Sequence, residues 1–189
     1  GVDGRSYPRL WHLHADASWA QWEVLGVFNW SAEPLTEQVR FADLGLTPGQ
    51  EHLVWDFWRG ELAGRFSGVF AVIVPAGSAR CLRIMRVPES PAVLATEMHV
   101  TQGLVDLQDV RWDEGTSTLS GVAARAPEES GTLMVYLPPG WALAEGEAAE
   151  MIAPCVAQVR IDFTVEHEPW SVRCARVDGG EAPALNPPD

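Results

Sequence analysis

The sequence predicts an all-β fold: an antiparallel β-sandwich, with two sandwich-like units in tandem. Three observations carry that expectation. Short apolar runs of strand length recur along the chain, Gly, Pro and Asp clusters separate them, and no strand alternates with a helical pattern. A 189-residue chain that is 47% hydrophobic has enough apolar material for a buried core.

The first run, residues 24–30 (VLGVFNW), is apolar on both faces, as a central strand covered on both sides requires. Residues 36–46 (TEQVRFADLGL) fit a strand or a short helix, and a strand with a turn at 43–45 is the favoured reading. Residues 53–58 (LVWDFW) place Leu53, Trp55 and Phe57 on one face, with Val54, Asp56 and Trp58 on the other. A GELAG bend follows, then a strand over 66–74 (FSGVFAVIV), a Pro-Ala-Gly hairpin-like turn at 75–77 and a strand over 80–86.

The segment VPESP at 87–91 breaks the strand pattern, because flanking prolines cannot continue a ladder. It divides a lead-in (1–22) and a first sandwich (23–88) from a second β-module (92–178), with a disordered tail over 179–189. In the second module, strands over 104–111 and 117–125 flank a turn at 112–116, where Gly115 is expected to supply a positive φ. A strand over 132–137 leads into Pro-Pro-Gly-Trp. Residues 142–152 are the one plausible helix, although Gly146 allows a loop instead. Residues 159–166 alternate cleanly, with Val159, Ile161, Phe163 and Val165 on the buried face, and 171–177 add a further strand.

Charge narrows the range of partners. All 13 basic residues are Arg, against 26 Asp and Glu, for a formal charge of −13. Such a surface repels nucleic acid and anionic membranes, so neither is expected as a partner. No apolar run reaches membrane-spanning length, and the first residues lack the charged, apolar, small-residue pattern of a signal peptide, which says little about a parent chain. The chain begins at Gly1 rather than Met, which suggests an excised fragment and leaves localisation open. Cys81, Cys155 and Cys174 have neither disulfide-framework nor CxxC spacing, and read as buried thiols with at most one pair.

The polar constellations are weak as sites. His12, His14 and Asp16 alternate on one strand face with metal-ligand spacing, but no third His or Cys lies near, so no metal is expected. Asp106, Asp109, Asp113 and Glu114 lack the order of a calcium loop and read as solvated positions. Ser67 and Ser120 have no nucleophile-elbow context, and His52, His99 and His167 are isolated. Nine Trp residues are the one feature suited to binding, because indole faces stack on the apolar side of a pyranose. Trp22, Trp30 and Trp55 are expected in the core. Trp58 and Trp141, the latter in the PPGW loop, are expected to be exposed and are the candidate carbohydrate-binding residues.

Several motifs in order carry a family resemblance. FNWSAEP at 28–34, DLGL at 43–46, VWDFWRGELAGRFSG at 54–68 and VPAGSARCLRI at 74–84 resemble the C-terminal antiparallel β-domain of α-galactosidase-type, melibiase-like glycoside hydrolases. The match covers some 60 residues, 28 through 84. Residues 7–24 are similar to the lead-in from the preceding domain, and 99–121 to a β-module that follows the sandwich in some bacterial members. The resemblance implies a parent that cleaves α-linked sugars with two carboxylates on a TIM barrel of roughly 250 residues. This chain has neither that length nor a strand–helix alternation, so no catalytic residue is assigned and no cofactor is expected. What the resemblance implies is a non-catalytic accessory region whose partner is the catalytic domain of its own parent chain. The alternative is an autonomous carbohydrate-binding or adhesion module. A broad apolar patch near the lead-in favours the first, and coplanar rings along a groove favour the second.

Overall fold

The computed structural model describes residues 7–177. They form an all-β fold whose sheets pair strands antiparallel in sandwich-like arrangements, and among the described residues there is no α-helix. Residues 7–16 and 21–87 make one compact unit, and residues 17–20 and 88–177 make another. The predicted tail from Asp178 lies outside the described residues.

In the first unit, strands β1 (Leu10–Ala17), β2 (Ala20–Phe28), β4 (Glu51–Asp56), β5 (Glu61–Ser67) and β7 (Ala79–Arg86) form a sheet of order β1-β2-β7-β4-β5. A ribbon of β3 (Leu35–Arg40) and β6 (Val69–Val74) packs on it. Alternation sets the core. Leu25, Val27, Val54, Leu82 and Ile84 from the sheet meet Val39, Phe70 and Val74 from the ribbon, together with Phe41. The opposite face of the sheet, bearing Trp22, Val24, Leu53, Trp55 and Met85, is buried as well, which explains why the central runs are apolar at every position.

Several expectations need correction in this unit. The lead-in is not separate from the sheet, because β1 and β2 are two of its five strands. The GELAG segment runs into β5 and is not a bend; the register shift opposite Val54 and Trp55 leaves Ala63 as the bulged residue, beside Gly64 at φ 146°. The break falls instead at Gly68, φ 83°, between β5 and β6. The turn at 75–77 does not close a hairpin. β6 pairs with β3 while β7 pairs with β2 and β4, so the turn carries the chain from ribbon to sheet. Residues 41–44 form a 3-10 turn ended by Gly45 in the left-handed conformation.

The second unit is two four-stranded sheets. One has the order β12-β15-β10-β9, from β9 (Leu107–Asp113), β10 (Thr118–Ala124), β12 (Trp141–Leu143) and β15 (His167–Arg176). The other has the order β13-β14-β11-β8, from β8 (Ala92–Thr96), β11 (Ser130–Tyr136), β13 (Glu150–Ala153) and β14 (Val156–Asp162). Leu119, Leu133, Val135, Ile161, Phe163, Trp170 and Val172 fill the core between them.

The possible helix at 142–152 is instead two short strands joined across Gly146, φ 82°. The β9–β10 turn places its positive φ at Ser117 (51°) and not at Gly115. The alternation over 159–166 stops at Phe163, since Val165 is exposed in the following bend.

Candidate functional site

Three features of the first unit have side-chain geometry suited to function. The first is a groove of about 500 Å³ lined by β3, β4, β5, β6 and β7, within the size range of small-molecule sites. Val54, Ala63, Phe66, Phe70 and Leu82 supply its apolar floor, and Asp56, Arg59, Glu61 and Arg80 line it as charged groups. The Phe66 and Phe70 rings stand 5.4 Å apart at 33°.

Asp56 ends β4 and is only 4% exposed. Its Oδ1 accepts the backbone N–H groups of Trp58 (3.1 Å) and Arg59 (3.2 Å), which folds the chain into the turn leading to β5. Its Oδ2 lies 3.6 Å from Arg80 Nε, close enough for attraction and too far for a hydrogen bond. The Arg80 Nε–H is instead donated to the Ile73 carbonyl at 3.2 Å. Arg59 pairs with Glu61 at 2.7 Å.

Beside the groove, Trp58 is 60% exposed in the turn and meets Phe57 edge-to-face at 4.7 Å. It is as accessible as its face predicts, although it sits past the end of β4, and Phe57 likewise belongs to the turn and not to the strand. The expectation for Trp141 needs correction. It is 7% exposed, packs edge-to-face on Trp112 at 5.0 Å, and carries the Arg176 guanidinium 4.1 Å over its ring. The PPGW loop turns this indole inward, where β12 pairs with β15.

The second feature is an aromatic surface on β1 and β2. Trp11 is 60% and Trp30 56% exposed, and Tyr7 and Leu13 are exposed as well. Trp30 stacks on Phe28 (5.3 Å between centroids, 5° between planes) and meets Tyr7 at 5.6 Å and 48°. Gly26 makes room for this cluster, since a Cβ there would stand 2.9 Å from the Phe28 ring and 3.6 Å from Trp11 Cβ. The Trp30 Nε1–H donates to the Pro8 carbonyl at 3.0 Å and fixes the indole. Trp30 was expected in the core and is outside it, because β2 ends at Phe28. Its neighbour Asn29 is the buried residue of that motif. Asn29 Nδ2 donates to the carbonyls of Glu33, Val74 and Pro75 at 2.7, 3.0 and 3.0 Å, tying the β2–β3 loop to the end of β6.

The third feature is a buried carboxylate held by two imidazoles. Glu23 on β2 receives His12 Nε2 at 2.6 Å and His14 Nδ1 at 2.7 Å from β1, one on each oxygen. Hydrogen bonding to Glu23, then its charge, raises the His14 pKa above 6.5. Asp16 makes no hydrogen bond to the imidazoles, since its Oδ1 accepts from Gln21, and its charge is the smallest of the causes that raise His14. Among the described residues no cluster of His, Cys, Asp and Glu has the arrangement of a metal site.

Elsewhere, Asp106 is buried and not solvated, accepting from Thr96 Oγ1 and from the Gly103 N–H at 2.9 Å. Cys155 and Cys174 are buried free thiols, so no disulfide joins any two of the three cysteines. Burial, assisted by the Glu147 charge, pushes the Cys174 pKa up to about 11, far from that of a reactive nucleophile.

Sequence reasoning singled out Trp58 and gave Asp56 only a place on the same strand face. It missed Glu61, Arg80 and Phe66, which reach the groove only through the register of β5 and β7 against β4. It also missed Glu23, whose signal was a lone acid in an apolar run opposite two alternating histidines. No protein-family model matches the chain, and no curated protein matches it.

Proposed function

We propose that this chain is a non-catalytic accessory region of an α-galactosidase-like glycoside hydrolase, stabilising or shaping a catalytic barrel carried elsewhere in its parent. The observation that carries the reading is the aromatic surface where Tyr7 and Trp11, on the segment that resembles the family's lead-in, join Phe28 and Trp30 of the FNW motif in one apolar patch. Its geometry favours docking over sugar stacking. A glycan platform offers ring faces side by side, whereas Phe28 and Trp30 cover each other's faces and Tyr7 is tilted away. An acidic chain of formal charge −13 suits neutral surroundings of this kind.

Hydroxyl-radical footprinting of the isolated chain and of its full-length parent tests the reading. Trp11 and Trp30 are expected to be oxidised in the isolated chain and protected in the parent. Equal oxidation in both would sink the docking reading. Turnover of p-nitrophenyl α-galactoside by the isolated chain would overturn its non-catalytic character.

A further inference from the structure

We infer that the groove of the first unit binds a neutral pyranose ring through a vicinal diol, Asp56 accepting from one hydroxyl and Arg80 donating to its neighbour. The inference is independent of the docking surface, which involves other residues. Asp56 is a buried carboxylate with one oxygen engaged by its own turn and the other, Oδ2, accepting no hydrogen bond among the described residues. That oxygen opens on the groove, where a ligand hydroxyl can take the acceptor position that water would otherwise fill. Arg80 uses only its Nε–H, on the Ile73 carbonyl, and its Nη groups make no hydrogen bond among the described residues. An unfilled acceptor and a fork of unfilled donors thus line one groove. Adjacent hydroxyls match them, because each hydroxyl both donates and accepts.

The remaining lining selects the rest of the ligand. Phe66 and Phe70 offer an aromatic wall for the C–H face of a ring. Charge argues for neutrality. A ligand carboxylate would lie near Asp56 and Glu61, and an ammonium near Arg59 and Arg80, whereas a polyol leaves both oppositely charged pairs intact.

The test is amide chemical-shift mapping of the chain with methyl α-D-galactopyranoside and methyl α-D-glucopyranoside, using galacturonate as the anionic control. Saturable shifts on β5, β6 and the 57–60 turn are expected with at least one neutral glycoside, and none with galacturonate. Asp56→Asn keeps the turn's acceptor and removes the charge, and Arg80→Met removes the donors. Each is expected to weaken binding about tenfold or more. Trp11→Ala, on β1 and outside the groove lining, is expected to leave it unchanged. Absence of groove shifts overturns the inference, as does loss of binding in Trp11→Ala with none in Asp56→Asn. Should both groove variants fail to fold, the shift map of the native chain decides. A negative result here leaves the footprinting of Trp11 and Trp30 unaffected.

Discussion

His14 and His52 show how single side chains in one sheet set opposite pH dependences. Glu23 holds His14 in its protonated form, so the folded pKa exceeds 6.5. That stabilisation is fully present below 6.5 and fades as pH rises through the folded value. His52 is the reverse. Burial is the main cause that lowers its pKa below 6.5, so protonation opposes folding and stability falls as pH drops through 6.5 toward the folded value. Glu23→Gln is expected to return His14 toward 6.5 in an NMR titration and to flatten the urea-unfolding profile above that pH. His52→Gln is expected to flatten it below. An unchanged His14 titration in Glu23→Gln would refute the clamp. Two alternating histidines were legible in the sequence as ligand-like spacing. Their true partner was not, because Glu23 meets them only through pairing of β1 with β2. Asp56 makes a second residue-scale case. Asp56→Ala removes the acceptor for two turn amides and is expected to cost about 1–2 kcal/mol in urea denaturation. Asp56→Asn should recover most of that loss.

At the scale of elements, alternation revealed strands reliably and partners poorly. The run that became β14 was visible because its apolar positions repeat with the pleat, and those that became β2, β4, β7 and β11 because both of their faces are largely apolar. Their ends were harder to place. Trp58 and Val165 continue the alternation in sequence, yet Asp56 bends the chain before Trp58, and Glu168 bends it around Val165 by accepting from Thr164 N–H and Oγ1, both at 2.9 Å. These local bonds override pattern. Bulges were equally hidden. The register of β9 and β10 shifts between Ser120 and Val122, where a Cβ on Gly121 would stand 2.9 Å from Trp170 Cζ2 and 3.1 Å from the Gln108 carbonyl. Backbone and a buried indole cannot both yield, so Gly121→Ala is expected to destabilise by about 1–3 kcal/mol. Gly131→Ala overlaps the flexible Met98 side chain, which can give way, and meets Phe163 at an ordinary 3.4 Å, so it is expected to cost less. Thermal melts of the two variants side by side check the order.

For the molecule as a whole, the sandwich class was legible because fold class follows from the succession of elements, whereas the groove arises from strands distant in sequence. The same distinction governs the cysteines. Their spacing excluded a framework, but their reactivity depends on burial in a finished core. Cys174 belongs to the core of the second unit with Leu133, Trp170 and Phe163, and Cys155 is buried beside β14. With a pKa of about 11, Cys174 is thiolate in roughly one molecule per thousand at pH 8. Burial also raises Cys155, so both thiols should react with Ellman's reagent only when the unit opens. Leu133→Ala removes buried volume from that core and is expected to cost about 2–5 kcal/mol. Labelling at low denaturant should then accelerate at Cys174, which belongs to that core. Fast labelling of Cys174 in the native protein, or no acceleration there in Leu133→Ala, would show that this core does not protect the thiol.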